Sequence, residues 1–404
     1  MEQINLFEAL YDKYKITKPI RLIELFGGIG SQAKALEVLD EQGKLPNGFE
    51  HYRLVEFDKY PVASYNAVHG TNFAPTDITK INAQDLGIVE RDKYEYIMTY
   101  SFPCQDLSIG NKNAKGLKGK RSGLLYQVER LLNECGEELP QILLLENVFT
   151  IIGDNYIDDF KAWEKFLENK GYSNYYEILN AKDYGIPQNR SRCFMVSILG
   201  NTYYKFPKPI PLKTRLQDYL ENYVDGQYIA SDKKIAYLER KVNDGWKKEI
   251  VTSPDGIATC VCNPSRNQIN DTYVYCVEVD EKYYLSKKMI NCMANENTKG
   301  FNRAERFYQT LVNTNINGIA STITTCAGSR PTDNFIIEEE FNQDNFKEKK
   351  IRRLTPKECW RLMGWSNDED FEKAAKVNSN AQLYKQAGNS IVVNVLVAIF
   401  NQLL

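Results

Sequence analysis

Histidine is nearly missing from this chain: His51 and His69 are the only two among 404 residues. That scarcity argues against a Ser–His–Asp hydrolase and against a histidine-rich metal site. Each is expected to be an incidental loop or helix residue. Paired cysteine motifs are missing too. The nine cysteines, Cys104, Cys135, Cys193, Cys260, Cys262, Cys276, Cys292, Cys326 and Cys359, are odd in number, irregularly spaced and without a C-x-x-C pair. A disulfide framework and a zinc ribbon are thereby excluded, and mostly buried, reduced thiols are expected. No run of about 18 apolar residues occurs, the length a membrane-crossing helix requires. Met1 to Lys18 lacks the apolar stretch of a signal peptide, so a cytoplasmic protein without a membrane partner is expected. Charge of one sign is also lacking: 51 basic against 53 acidic residues leave a net charge of −2. Any contact with nucleic acid must then come from local basic patches.

What is present describes a folded protein. Hydrophobic residues make up 43% and charged residues 26%, ordinary for a globular chain, and the length suggests two domains. In the first half, short apolar runs alternate with amphipathic stretches. Strands are expected at Arg21–Phe26, Tyr52–Phe57, Tyr94–Tyr100, Gln141–Glu146, Tyr175–Leu179 and Cys193–Leu199. Helices are expected at Ser31–Leu39, Pro61–His69, Leu124–Asn133 and Asp159–Lys170. Such alternation implies a mainly parallel sheet covered on both faces. Three prolines in Tyr203–Leu212 suggest a boundary. From there to about Glu340 the chain is rich in Asn, Thr and Tyr and reads as an irregular second domain. Helical patterning then returns, with Thr355 as an N-cap and Pro356 at the first helical position. Asn389–Leu404 is apolar enough that it must bury itself, with the first domain's sheet as the natural place.

Four segments carry chemistry. In Leu22–Leu36, LIELFGGIGSQAKAL, a strand enters a glycine-rich turn and then a helix, which lets backbone pass close to a ligand at a helix N-terminus. Glu56 ends the next strand, where an acid can accept from ribose hydroxyls; Phe57 can lie against an adenine, and Asp77 can meet its amine. In Thr99–Asn111, TYSFPCQDLSIGN, Pro103 and Cys104 follow a strand at the same sheet edge. The loop beyond is rich in glycine and carries Lys112, Lys115, Lys118, Lys120 and Arg121, which suits a mobile lid over an anionic polymer. In Leu143–Val148, LLLENV, the acid Glu146 follows an apolar run and is costly to bury without a partner or a job. In Gln188–Phe194, QNRSRCF, Arg190 and Arg192 alternate by two and are expected on one face of a strand.

Taken in order, the Phe-x-Gly-Gly loop, the strand-end Glu, Pro-Cys-Gln, Glu-Asn-Val, Gln-x-Arg-x-Arg and the closing QAGNSIVV resemble the bacterial and phage cytosine-5 DNA methyltransferases. The blocks reach from Arg21 to the C-terminus and frame a variable stretch from about Tyr203 to Glu340. The resemblance implies an α/β fold: a Rossmann-like, S-adenosylmethionine-dependent methyltransferase sheet with a smaller, irregular DNA-recognition domain. It implies a catalytic domain over 1–202, target recognition over 203–345, a helical return over 346–385 and a C-terminal helix over 386–404 that rejoins the first domain. It also implies methyl transfer from S-adenosylmethionine to carbon 5 of a flipped-out cytosine in double-stranded DNA, leaving S-adenosylhomocysteine and needing no metal.

By the same resemblance, Cys104 is the nucleophile, Glu146 and Arg192 hold the base, and Arg190 serves the adjacent sugar-phosphate. The cofactor contacts fall on Phe26, Ile29, Gly30, Glu56, Phe57, Asp77, Ile78, Pro103, Leu124, Asn389 and Ile391. Phe57 stands where many relatives carry tryptophan. DNA contacts fall on Gln105, Ser108, Lys112, Arg121, Thr322 and Arg330. A monomer is expected, in or near a restriction–modification system whose endonuclease acts separately. A tRNA-directed relative would carry a Cys-Phe-Thr segment, and an amino-directed DNA methyltransferase an Asp-Pro-Pro-Tyr-like motif; neither segment occurs. A catalytically silent DNA-binding protein is disfavoured because every chemical residue is present.

Overall fold

The structure, a computed structural model, describes residues 13–45, 47–103, 122–221, 224, 228, 251–252, 256–259, 273–274 and 352–404. The chain forms two compact units. One comprises 1–180, 191–209 and 393–404; the other comprises 181–190 and 210–392. The chain therefore crosses between them at 180/181, 190/191, 209/210 and 392/393.

The first unit is built on a six-stranded sheet. Its strands are β1 (Ile20–Leu25), β2 (Phe49–Val55), β3 (Glu95–Tyr100), β4 (Ile142–Val148), β5 (Tyr172–Asn180) and, after the two-residue β6 (Gln188–Asn189) of the other unit, β7 (Ser191–Leu199). The order is β2-β1-β3-β4-β7-β5. β2, β1, β3 and β4 run parallel, while β7 is antiparallel to both β4 and β5. The helices between strands are α1 (Ser31–Glu41), α2 (Lys59–His69), the single turn α3 (Ala83–Leu86), α4 (Leu125–Glu134) and α5 (Ile157–Asn169). Every expected strand and helix of this half is present, with shifted ends. β3 and the apolar part of β4 are wholly buried, as continuous apolar runs in a covered parallel sheet must be. β2 starts three residues before the expected Tyr52 and ends before Glu56. It lies at the sheet edge, its first five positions are not buried, and so its apolar signal is weak.

The C-terminal apolar segment Asn389–Leu404 forms one helix, shorter than the segment, and another helix ends just before it. α8 (Asn380–Asn389) and α9 (Val393–Asn401) are separated by Ser390–Val392. The earlier two helices of this region are α6 (Pro356–Leu362) and α7 (Asp368–Ala375). α9 returns to the first unit, where it packs along α1. One backbone bond and one side-chain bond secure the return: Ile16 N–H donates to Leu403 O at 2.7 Å, and the Tyr204 hydroxyl donates to Ile399 O at 3.3 Å. The neighbour of this apolar helix in this unit is α1. Burying Val395, Leu396, Ile399 and Phe400, all at most 2% exposed, contributes roughly 1.5–3 kcal/mol per side chain.

In the second unit, Thr355 caps α6 as expected. Its side chain accepts from Glu358 N–H and Glu358 accepts from Thr355 N–H, a reciprocal box with Pro356 beside it. Trp360 is fully buried against Trp365 and Phe371, with ring centroids 5.2 and 5.7 Å away. Its indole N–H donates to Leu383 O at 3.0 Å, joining α6 to α8. Short ladders complete what is described here: β6 pairs with β9 (Ala258–Thr259), and β10 (Tyr273–Val274) lies between β8 (Val251–Thr252) and β11 (Arg352–Arg353).

Candidate active site

β1 runs straight into the glycine loop. Phe26 adopts φ 58°, Gly28 φ 58° and Gly30 φ 83°. A left-handed conformation costs a non-glycine residue about 1–2 kcal/mol; at Phe26 that cost is met by its N–H bond to Val55 O at 2.7 Å. Gly30 is the N-cap of α1, and a Cβ there would lie 2.5 Å from His69 Nε2 and 2.6 Å from Tyr65 Cε2. Only glycine fits that position, on both conformational and steric grounds.

The end of β2 and the turn that follows α2 close on this loop. Glu56 Oε2 accepts from Gly28 N–H at 3.1 Å, and its Oε1 accepts from Asp58 N–H at 2.8 Å. Glu56 O in turn accepts from Thr76 N–H at 2.8 Å, which brings Asp77 alongside. Asp77 caps the turn Ile78–Lys80, accepting from Thr79 N–H and Oγ1 at 3.0 and 2.8 Å. Those bonds hold its carboxyl below the usual carboxylate range. Phe57 is 76% exposed, a large ring left facing outward between two acids. Ile29 and Ile78 are buried, and Phe26 and Leu124 pack on the same cluster as Ile78. Seven of the expected cofactor positions, Phe26, Ile29, Gly30, Glu56, Phe57, Asp77 and Ile78, therefore converge after β1 and β2. Pro103 follows β3, and Leu124 precedes α4. Asn389 and Ile391 belong to the second unit.

The second cluster sits at the ends of β4 and β7. Register pairs Glu146 with Phe194 and Val148 with Arg192, so Glu146 and Arg192 are diagonal neighbours on one face. Glu146 Oε1 lies 3.3 Å from Arg192 Nε, with both side chains mostly buried. The adjacent Asn147 is 2% exposed, and its side-chain N–H donates to Phe102 O at 3.1 Å. That bond ties the end of β4 to the segment leading from β3 into Pro103 and Cys104. Asn147 escaped the sequence reading, although it lies in the same LENV run.

Arg190 does not share the strand with Arg192. It stands one residue before β7, in the second unit, 5% exposed. Its guanidinium donates to Gly388 O at 3.2 Å and Ser390 O at 2.7 Å, closing the C-terminal end of α8. The expectation of two arginines on one strand face fails because the chain leaves one unit for the other between them. Cys104, Gln105, Ser108, Lys112, Arg121, Thr322 and Arg330 lie outside the described residues. Burial raises the thiols of Cys135 to about 11 and of Cys193 to about 12, with the Glu146 charge adding to the effect at Cys193. Neither is an activated nucleophile.

Another acid missed by the sequence reading is Glu24, in the same LIELFGG run. It is fully buried in β1 and accepts from Tyr65 O–H at 2.6 Å and Ala33 N–H at 3.3 Å. Burial raises its carboxyl to about 7, against the lowering effect of the tyrosine bond. An acid inside an apolar run was the signal that singled out Glu146, and it applies equally here.

The description "C-5 cytosine-specific DNA methylase" matches residues 20–404. The chain is 32% identical over 310 residues to the type II methyltransferase M2.ScrFI of Lactococcus lactis subsp. cremoris, a match covering 76% of this chain and 65% of that one. It is 28% identical to the type II methyltransferase M.NlaX of Neisseria lactamica, over 95% of this chain and 96% of the relative. The solved structure of the Entamoeba histolytica methyltransferase EhMeth shares the fold, with a TM-score of 0.63 at 15% identity, over 96% of this chain and 98% of that one. With a strand-end Glu–Arg pair, a glycine loop braced by a second strand-end acid and a family match across nearly its whole length, the chain belongs to the C-5 cytosine-specific DNA methylase family.

Proposed function

We propose that this protein methylates carbon 5 of cytosine in specific sequences of duplex DNA, in the setting of a restriction–modification system. The Glu146–Arg192 pair carries the reading. It sets an acid and a guanidinium side by side at the end of β4, which Asn147 joins to the segment entering Cys104. The type II methyltransferases among its relatives support the same setting.

The residues present fit S-adenosylmethionine. A glycine turn at the N-terminus of α1 gives close backbone approach. Glu56 braces that turn and stands where ribose hydroxyls are bound in open parallel sheets. The exposed Phe57 ring gives an adenine a face, and Asp77 an acceptor for its amine. When bound, S-adenosylmethionine supplies a methyl group on a sulfonium centre.

Cys104 adds as a thiolate to carbon 6 of the cytosine, which makes carbon 5 nucleophilic; after methylation, loss of the carbon 5 proton expels the thiolate. Glu146 holds ring nitrogen 3 and the exocyclic amine, favouring positive character on the ring. Arg192 fixes the orientation of Glu146 and steadies the base. A cytosine within a duplex reaches such a pocket only when flipped out, at a cost of a few kcal/mol. The lysines and Arg121 beyond Cys104 supply phosphate contacts to the distorted strand.

The experiment is covalent trapping. With cofactor present, duplex DNA containing 5-fluorocytosine at the target is expected to become attached to Cys104, while Cys104→Ser binds DNA without forming an adduct. Absence of an adduct with the wild-type protein would remove the mechanism. Incorporation of labelled methyl into tRNA but not duplex DNA would replace the substrate.

A further inference from the structure

The chain's two histidines meet in space. His51 in β2 and His69 at the end of α2 have ring centroids 5.1 Å apart. Glu37 of α1 serves both: its Oε1 lies 2.5 Å from His69 Nδ1 and 3.6 Å from His51 Nε2. The other nitrogen of each ring is already engaged. His69 Nε2 faces the Ile29 carbonyl at 3.1 Å, and a carbonyl only accepts, so this nitrogen carries a proton. His51 Nδ1 faces the Tyr65 hydroxyl at 3.1 Å. That hydroxyl donates to Glu24 Oε2 at 2.6 Å, and so its oxygen accepts from His51 Nδ1–H. In their neutral forms both imidazoles therefore turn a lone pair toward one carboxylate oxygen. Three electron-pair donors, all within 4.8 Å of one another, share a space that needs positive charge.

We propose that Glu37, His51 and His69 form a binding site for a divalent transition metal of the zinc class. Two neutral imidazoles and a carboxylate are a ligand set for such ions. The Ile29 carbonyl and the Tyr65 hydroxyl are the outer partners that fix ring tautomer and orientation at histidine–metal sites. Lys34 Nζ lies 3.1 Å from the other carboxylate oxygen of Glu37, leaving Oε1 to the imidazoles. Its positive charge weakens binding of hard ions such as magnesium and calcium, which depend on carboxylate charge, more than that of ions favouring imidazole. The side chains of His51 and Glu37 are 19% and 22% exposed while that of His69 is 0%. An ion can thus enter from solvent and keep water in a remaining position. Through His69 and Ile29 the ion stiffens the glycine loop. Scarce histidine argues against a histidine-rich site, but two imidazoles and one carboxylate are a smaller ligand set that folding brings together.

The test is titration of the chelator-treated full-length protein with Co²⁺, followed by visible absorption. One equivalent is expected to bind with ligand-field bands and without thiolate charge-transfer bands. Glu37→Gln and His51→Ala are expected to lose that binding, and Tyr65→Phe to weaken it ~10-fold or more, as for loss of an outer partner. Zn²⁺ should raise the melting temperature of the wild type and leave that of His51→Ala unchanged. Should Glu37→Gln fail to fold, His51→Ala, at a partly exposed edge-strand position, carries the test. No binding by the wild type, thiolate bands, or equal binding by wild type and His51→Ala would each overturn the proposal, leaving a proton as the bridge between His69 and Glu37.

Discussion

Glu146 and Arg192 are 46 residues apart in the chain and meet at 3.3 Å because β4 and β7 are antiparallel neighbours. A register slip of one residue would send one of them to the opposite face of the sheet. The pair holds Glu146 beside a guanidinium, oriented by Arg192 rather than by solvent.

Glu146→Gln keeps the shape and an oxygen facing Arg192 but removes the charge. Single-turnover methyl transfer is expected to slow by ~100-fold or more, the scale of lost acid–base assistance, with little change in melting temperature. A rate near that of the wild type would make the pair structural only.

Glu56→Ala removes the acceptor of the Gly28 and Asp58 N–H groups. Charge-assisted bonds of this kind contribute about 1.5–3 kcal/mol each, and a loss of that size is roughly a 10- to 100-fold weakening. Calorimetric titration with S-adenosylhomocysteine should show that loss, and unchanged affinity would detach Glu56 from the cofactor site.

Gly30→Ala and Gly43→Ala separate strain from collision. Both glycines have positive φ, 83° and 68°, but a Cβ at Gly43 meets nothing within 4 Å whereas one at Gly30 strikes His69 and Tyr65. Urea unfolding should show a loss of about 1–2 kcal/mol for Gly43→Ala. For Gly30→Ala, about 1–3 kcal/mol of overpacking should add to that. Equal losses would mean that a methyl group at Gly30 is accommodated by movement of His69 and Tyr65.

Glu24 titrates near 7 in the folded protein, above its ordinary value of 4.5, because burial opposes its charge. Between those values the unfolded chain releases the proton that the folded chain keeps, so ionisation favours unfolding as pH rises. The stability of the wild type relative to Glu24→Gln is therefore expected to fall from about pH 4.5 to 7 and to level off above that. Denaturant titrations of both proteins across that range check it, and a difference that rises with pH would reverse the assignment.

Thr355→Ala dissolves the capping box of α6, leaving Glu358 N–H without its 3.2 Å acceptor and removing the bond from Thr355 Oγ1 to Glu221. A loss of about 0.5–2 kcal/mol is expected for the cap, measured by thermal or denaturant unfolding. No loss would show that α6 is held by Trp360 alone.

The sequence by itself determined the alternation of strands and helices in the first unit, the cap at Thr355 and the identity of the chemical blocks. Those depend on local pattern: apolar runs of strand length, glycine at a turn and Thr-Pro before a helix. It also marked Glu56, Glu146 and Cys104, since polar groups at strand ends are visible one segment at a time. What only the tertiary structure decided depends on neighbours distant in the chain. Sheet order and register brought Arg192 to Glu146, and the crossing between units carried Arg190 away to Gly388 and Ser390. The packing of α1, β2 and α2 gathered Glu37, His51 and His69, which look unrelated in one dimension. Periodicity reports which face of an element is apolar, whereas the choice of partner is made by the packing of whole elements, and no single segment encodes it.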